Sequence, residues 1–217
     1  LRLVGSEMCI RDREDTGLII PLSEIIVEEA CLGYAELVRA GYGNLSIAIN
    51  ISSLHFQQQN FLESLNKILE RNNTSAQNLE IEVTERTVMN NASETVSKLV
   101  RLKQMGFKLS IDDFGTGYSS LSYLVRFPLD ILKIDRSFIQ QICSLDEKQA
   151  VVDAIIQMSH RLKMKVVAEG VETEQQAALL REMGCDIVQG YYYSKPIPMH
   201  ELLELLPYWE VEHQGRN

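Results

Sequence analysis

Leu79-Glu80-Ile81-Glu82-Val83 and its counterpart Ile131-Leu132-Lys133-Ile134-Asp135 decide the fold. In the first, one parity is apolar and the other carries carboxylates. In the second, Lys133 and Asp135 share a parity, and Leu132 and Ile134 share the other. Successive side chains of a strand point to opposite faces. Each segment therefore reads as a strand with one apolar and one charged face. In an open, doubly wound sheet, helices cover both faces and strands tend to be apolar on both. A barrel strand turns one face into the lumen, where polar groups meet near the mouth. The alternation favours an α/β chain built as a (β/α)8 TIM-type barrel.

Outward from these two segments, strand-like and helix-like patterns alternate from Glu14 onward. Strands are expected over 45–51, 79–84, 107–112, 129–134, 165–168 and 186–189. Helices are expected over 21–40, 53–70, 92–105, 148–162, 174–182 and 199–206. Gly41 and Gly43 end the first helix, Ser53 caps the second and Pro207 closes the last. Six strands cannot close an eight-stranded barrel, so the barrel is expected to be incomplete at the N-terminus, with about six of its eight strands present. No Pro/Gly/Ser linker interrupts the pattern, so 14–207 is read as one domain and 208–217 as a polar, weakly packed tail. Residues 1–13 contain no apolar run long enough for a signal peptide. The string Gly5-Ser-Glu-Met-Cys-Ile-Arg-Asp-Arg13 reads as translated adapter sequence, and 1–13 are set aside as a non-native artefact.

The 217 residues are 45% hydrophobic and 24% charged, ordinary for a globular chain with a substantial core. No apolar run approaches the roughly 18 residues of a membrane span. A net charge of -9 argues against a nucleic-acid polymer as partner. It leaves room for a small phosphate ligand, because bound cations reverse the local field. Cys9, Cys31, Cys143 and Cys185 show no paired spacing and read as reduced thiols of a cytoplasmic domain. His55, His160, His200 and His213 are scattered, without metal-ligand spacing.

Each strand ends on a polar residue: Asn50, Glu82, the pair Asp112-Asp113, Lys133, Glu169 and Gln189. In a barrel these C-terminal ends converge on the face where active sites sit. Each residue alone has a plainer reading. Asn50 suits a turn, Glu82 could pair with Lys108, Lys133 with Glu80, and Glu169 and Gln189 precede glycines in loops. Together they form an oxygen-rich set without Cys or His, which suits Mg²⁺ or Mn²⁺. Adjacent carboxylates such as Asp112 and Asp113 repel and lose solvation, and divalent cations remove that cost. Asn50, Glu82 and Asp112 can hold one cation. Asp112 can bridge to a second, beside Asp113 and Glu169. Two ions roughly 3.5–4 Å apart polarise a phosphodiester and share the attacking hydroxide. Lys133 can orient that hydroxide, and Gln189 can hold the water.

These stretches match a known family. The chain resembles the EAL domain, the bacterial cyclic-di-GMP phosphodiesterase, in Glu14-Asp-Thr-Gly-Leu-Ile-Ile-Pro21, Ile49-Asn50-Ile-Ser52 and Glu82-Val-Thr-Glu85. The match continues through Asp112-Asp-Phe-Gly-Thr-Gly-Tyr-Ser-Ser-Leu121, Leu132-Lys-Ile-Asp135, Ala168-Glu-Gly-Val-Glu172 and Gln189-Gly-Tyr-Tyr-Tyr-Ser-Lys-Pro196. It covers about 14–207 in the family's order. The resemblance implies a (β/α)8-type barrel with one antiparallel strand, and hydrolysis of cyclic-di-GMP to linear pGpG with two Mg²⁺ or Mn²⁺ ions. It implies a metal site of Asn50, Glu82, Asp112, Asp113 and Glu169, with Lys133 and Gln189 around the water. It also implies that Glu85 anchors the loop containing Phe114, Gly115, Thr116 and Gly117, that Glu172 is a supporting acid, and that this loop serves a homodimer. Upstream sensory or diguanylate-cyclase domains are implied for the intact parent, as is tethering to a membrane where such a segment provides it.

The Glu-Ala-Leu tripeptide that names the family is absent from the sequence, and its glutamate is a metal ligand. The expectation is an active parent and a fragment that is inactive or nearly so. The alternative reading is a degenerate module that binds cyclic-di-GMP without cleaving it.

Overall fold

The computed structural model describes residues 17–89, 92–116 and 121–213. The segment 1–13 lies outside them. In chain order the elements are α1 (Ile19–Arg39), β1 (Ile47–Asn50), α2 (Ser53–Gln57), α3 (Phe61–Arg71), a 3₁₀ turn (Ala76–Asn78), β2 (Leu79–Thr84), α4 (Glu85–Met89), α5 (Ala92–Met105) and β3 (Lys108–Phe114). There follow α6 (Leu121–Leu124), β4 (Ile131–Ile134), α7 (Arg136–Ile139), α8 (Asp146–Arg161), β5 (Lys165–Glu169), α9 (Glu174–Glu182), β6 (Ile187–Gln189) and α10 (Met199–His213).

The strands form one sheet in the order β1-β2-β3-β4-β5-β6, and every neighbouring pair is parallel. A doubly wound sheet reverses its strand order at a switch point. This one never does, so the six strands make a half-barrel, the α/β architecture expected from the alternation. The antiparallel strand implied by the family is not among the described strands. The in-register pairs Asn50↔Glu82, Glu82↔Ser110 and Glu169↔Gln189 keep one parity of each strand on one face. The other parity, including Ile81, Val83, Leu109, Ile111, Leu132 and Val166, is buried in the core beneath the helices.

Helices follow their apolar spacing. On α3, Phe61, Leu65, Ile68 and Leu69 recur at i, i+4, i+7 and i+8 and are buried. On α8, Asp146 and Glu147 occupy the first turn and His160 and Arg161 the last, complementing the helix dipole. Thr173 and Gln176 make a reciprocal capping box on α9.

Two expectations are corrected. The helix expected over 53–70 is two helices, and its cap is Ser52, which accepts from the His55 N–H. It breaks because Lys98 Nζ, from α5, donates to the carbonyls of Phe56 (3.0 Å), Gln57 (3.1 Å) and Gln58 (3.3 Å), satisfying groups that a continuing helix would use. Pro207 does not close the last helix. α10 runs through it to His213, and Trp209 beyond it packs on Tyr193 with ring centroids 5.9 Å apart. Among the described residues no helix is long and apolar enough to cross a membrane.

Candidate active site

The charged parity of the strands lines a concave cavity of about 510 Å³ that includes Glu80, Glu82, Lys108, Lys133, Lys165 and Gln189. Near its upper end, Lys133 Nζ lies 2.8 Å from Glu82 Oε1, 2.6 Å from Glu169 Oε1 and 3.5 Å from Asp112 Oδ1. The four groups come from four strands, β4, β2, β5 and β3. The Lys133 and Glu82 side chains are only 5% and 6% exposed. The plainer pairings are not the ones made. Lys108 Nζ donates to Ser46 Oγ at 2.7 Å, and Lys133 reaches Glu82 rather than Glu80.

Asp112 and Asp113 would point to opposite faces of a regular strand. The pairing of β3 with β4 shifts between Ile111 and Phe114, so an extra residue bulges out. Asp113 takes a left-handed conformation, φ 56°, and its N–H donates to Asp112 Oδ1 at 2.9 Å. The bulge brings both carboxylates into one electrostatic neighbourhood with Lys133 and Glu169. Phe114 is buried and pairs with Ile134. Gly115 donates its N–H to Glu85 Oε2 at 3.1 Å, and Thr116 Oγ1 donates to the Asp113 carbonyl at 2.9 Å. Gly117 lies outside the described residues.

Asn50 sits beside Glu82 and Gln189 beside Glu169 at the strand ends, both exposed. Glu172 is exposed as well. Its backbone N–H, donating to Gln176 Oε1 at 2.8 Å, is what fastens it. Two residues had no assigned role in the sequence. Asp135 caps α7 by accepting from the Ser137 N–H at 3.0 Å, and its charge reaches Asp113. Its shared parity with Lys133 was the available signal. Ser110, fully buried, sits in register between Glu82 and Ile131, and its Oγ has no hydrogen-bond partner among the described residues.

Burial raises the pKa of Glu82, although the Lys133 ammonium opposes it. Burial also raises Glu169 against the same ammonium, with Asp112 and Asp113 adding to the rise. Asp113 is raised by burial, then by Asp112 and Asp135. Burial works to neutralise Lys133, but Glu82, Glu169 and Asp112 hold its pKa well above the usual lysine value. One ammonium thus serves four carboxylates, and three of them remain short of positive charge. That deficit, with donors that are all hard oxygens, fits divalent cations. Among the described residues no three acids stand at chelating spacing, since Lys133 Nζ stands between Glu82 and Glu169. Binding cations requires these side chains to turn from the ammonium.

The EAL domain family model matches residues 2–196. The chain is 44% identical over 204 residues to the Pseudomonas aeruginosa protein named cyclic di-GMP phosphodiesterase NbdA, covering 94% of this chain and 26% of that one. It thus spans about a quarter of the length of the curated relatives it matches. Among solved structures, the PaMucR phosphodiesterase in complex with c-di-GMP superposes with a TM-score of 0.86 at 40% identity, covering 89% of this chain and 78% of that one. Klebsiella pneumoniae BlrP1, in a manganese and cyclic-diGMP complex, superposes with a TM-score of 0.69 at 31% identity, covering 80% and 45%. With a family match over most of its length and the family's fold beneath it, this chain belongs to the EAL domain family.

Proposed function

We propose that this domain, within the longer protein that carries it, hydrolyses cyclic-di-GMP to linear pGpG at the concave face with two divalent cations, Mg²⁺ or Mn²⁺. The observation that carries the reading is the buried Lys133 ammonium among carboxylates from three other strands, at the strand ends where barrel active sites form. The names of the family's relatives support the substrate, and the manganese complex supports the class of ion.

Asn50, Glu82, Asp112, Asp113 and Glu169 would hold the cations. When bound, they supply Lewis acidity and a water acidic enough to attack phosphorus at neutral pH. The chain's own residues do the rest. Lys133, held charged, offsets the negative charge that develops on the phosphoryl oxygens. Gln189, in register with Glu169, presents an amide that orients the attacking water. Glu85 fixes the turn of Phe114, Gly115 and Thr116 behind the aspartates, and Glu172 acts as a supporting acid. One water is consumed and one phosphodiester P–O bond breaks, leaving a linear dinucleotide with a terminal phosphate. The parent carries further sensory or diguanylate-cyclase domains and works as a homodimer, which sedimentation of the full-length protein tests.

The test of function is chromatography of cyclic-di-GMP incubated with the full-length protein and Mg²⁺ or Mn²⁺. pGpG should accumulate, and Asn50→Ala and Asp112→Ala should each slow it by about 10–100-fold or more. Tight binding of the intact nucleotide without any pGpG would replace this reading with a non-catalytic binding module.

A further inference from the structure

The short helix α7 begins three residues after Lys133 and touches the turns that follow the acids on both neighbouring strands. On the β3 side, Phe138 lies under Gly115, whose φ is +95°. A Cβ on Gly115 would stand 2.8 Å from Phe138 Cε2 and 2.9 Å from Cζ, so the backbone of the aspartate turn rests on the ring itself. Lys148 Nζ, from α8, lies 4.7 Å from the centroid of the same ring. On the β5 side, Gly170 follows Glu169 with φ +72°. A Cβ there would stand 2.5 Å from Arg136 Cβ and 3.3 Å from Arg136 Cα. At its C-terminus, the Ile139 carbonyl accepts from Gln176 Nε2 at 3.1 Å. Buried Gln176 Oε1 in turn accepts the N–H groups of Glu172 and Thr173, at 2.8 and 3.0 Å.

We propose that α7 is a spacer that sets the separation of the Asp112-Asp113 turn from the Glu169 turn, and that Phe138 is the positioning residue on the aspartate side. This rests on the reading of these acids as cation ligands. Four residues cannot hold a helix by themselves, so packing and the Asp135 cap fix α7 in place. Glycine at both contacts removes the side chain that would otherwise take up slack. A displacement of α7 is therefore passed directly to the backbone beside each acid. Removing the Phe138 ring leaves the Gly115 turn without its floor and frees Asp112 and Asp113 to shift relative to Glu169.

The experiment is calorimetric titration of Mn²⁺ alone, without nucleotide, into the full-length protein and four variants, with thermal denaturation confirming that each is folded. Phe138→Ala should weaken Mn²⁺ binding about tenfold. Phe138→Tyr, which keeps the ring, should bind close to wild type. Gly115→Ala should weaken binding, and Gly115→Ala with Phe138→Ala should recover part of that loss, because the ring it collides with is gone. Unchanged Mn²⁺ affinity in Phe138→Ala overturns the spacer and leaves the proposed function standing. Equal weakening in Phe138→Ala and Phe138→Tyr overturns it too. A wild-type chain that binds no Mn²⁺ overturns the cation reading and this inference with it. Should Phe138→Ala fail to fold, Gly115→Ala paired with Phe138→Leu decides: recovery supports the spacer, and purely additive losses refute it.

Discussion

Glu85, the first residue after β2, accepts the N–H of Gly115, thirty positions later, at 3.1 Å. The carboxylate is buried, while Gly115 is exposed, so the bond fixes the turn beside Asp113 more than it satisfies a buried donor. Glu85→Ala should therefore cost activity as well as stability. We expect cyclic-di-GMP turnover to fall about 10–100-fold. Urea unfolding should register about 1.5–3 kcal/mol. Glu85→Gln, which keeps an acceptor, should fall between. A Glu85→Ala protein of full activity would remove the turn from the mechanism.

Lys133→Met leaves Glu82, Asp112 and Glu169 facing one another without their ammonium. Breaking a buried ion pair from one side costs about 3–5 kcal/mol at neutral pH. The deficit has a pH signature. Burial already raises the folded-state pKa of Glu82 and Glu169, and a raised carboxyl group binds its proton more tightly folded than unfolded. Its contribution is most favourable below the unfolded value and is lost as pH rises through the folded one. Removing Lys133 raises both further, so the gap to wild type should narrow from pH 7 to pH 5. Denaturant midpoints at the two pH values check this, and a constant gap would count against the shared counter-ion.

A clamp recurs at the lower ends of the strands. Asp130, just before β4, accepts the Leu109 N–H of β3 at 2.8 Å and takes Lys103 Nζ on both oxygens, at 2.6 and 2.7 Å. Asp186, just before β6, accepts the Val166 N–H of β5 at 2.8 Å and meets His160 Nε2 at 2.8 Å. Partial burial pushes Asp186 up, but the His160 and Val166 hydrogen bonds, joined by the charges of His160 and Lys165, hold its pKa below the usual value of 3.8. A lowered carboxyl group stabilises above its unfolded pKa and loses that contribution as pH falls through the folded one. Asp186→Asn should thus melt below wild type at pH 6, with the difference vanishing as pH drops beneath 3.8. A difference in melting temperature that persists at pH 2–3 would mean that the charge is not the cause.

Lys98 ends α2 by binding three successive carbonyls and also pairs with Glu94 at 3.0 Å. Lys98→Met keeps the stem and removes the charge. It should cost about 1.5–3 kcal/mol by chemical denaturation. Lys98→Arg should restore part of it. No loss would show that water serves these carbonyls equally well.

The sequence carried the barrel through alternation. Glu80 and Glu82 against Ile81 and Val83 separate a lumen face from a core face, and the helices at 92–105 and 174–182 end where their patterns end. It also carried the convergence of Glu82, Asp112, Lys133 and Glu169, which stand at or near strand ends and meet around one ammonium. What it could not carry depends on contacts made elsewhere. The break after Gln57 comes from Lys98, forty-one residues downstream on another helix. The bulge at Asp113 shows only in the register of β4. The last helix runs past Pro207, where local propensity argued for a stop and the helix instead delivers Trp209 to Tyr193. Gly115 and Gly170 read as ordinary loop glycines until Phe138 and Arg136 are seen against them.

The strict register of the six strands has a consequence for how such a chain changes over generations. Alternate residues address different masters, one set the helices and the other the cavity. A substitution at a cavity position can rewrite what the sheet binds without disturbing what holds the sheet together, while a one-residue insertion within a strand exchanges the two vocabularies. The bulge at Asp113 is one place where such an extra residue has been accommodated, and it sits where two acids must speak to the same side.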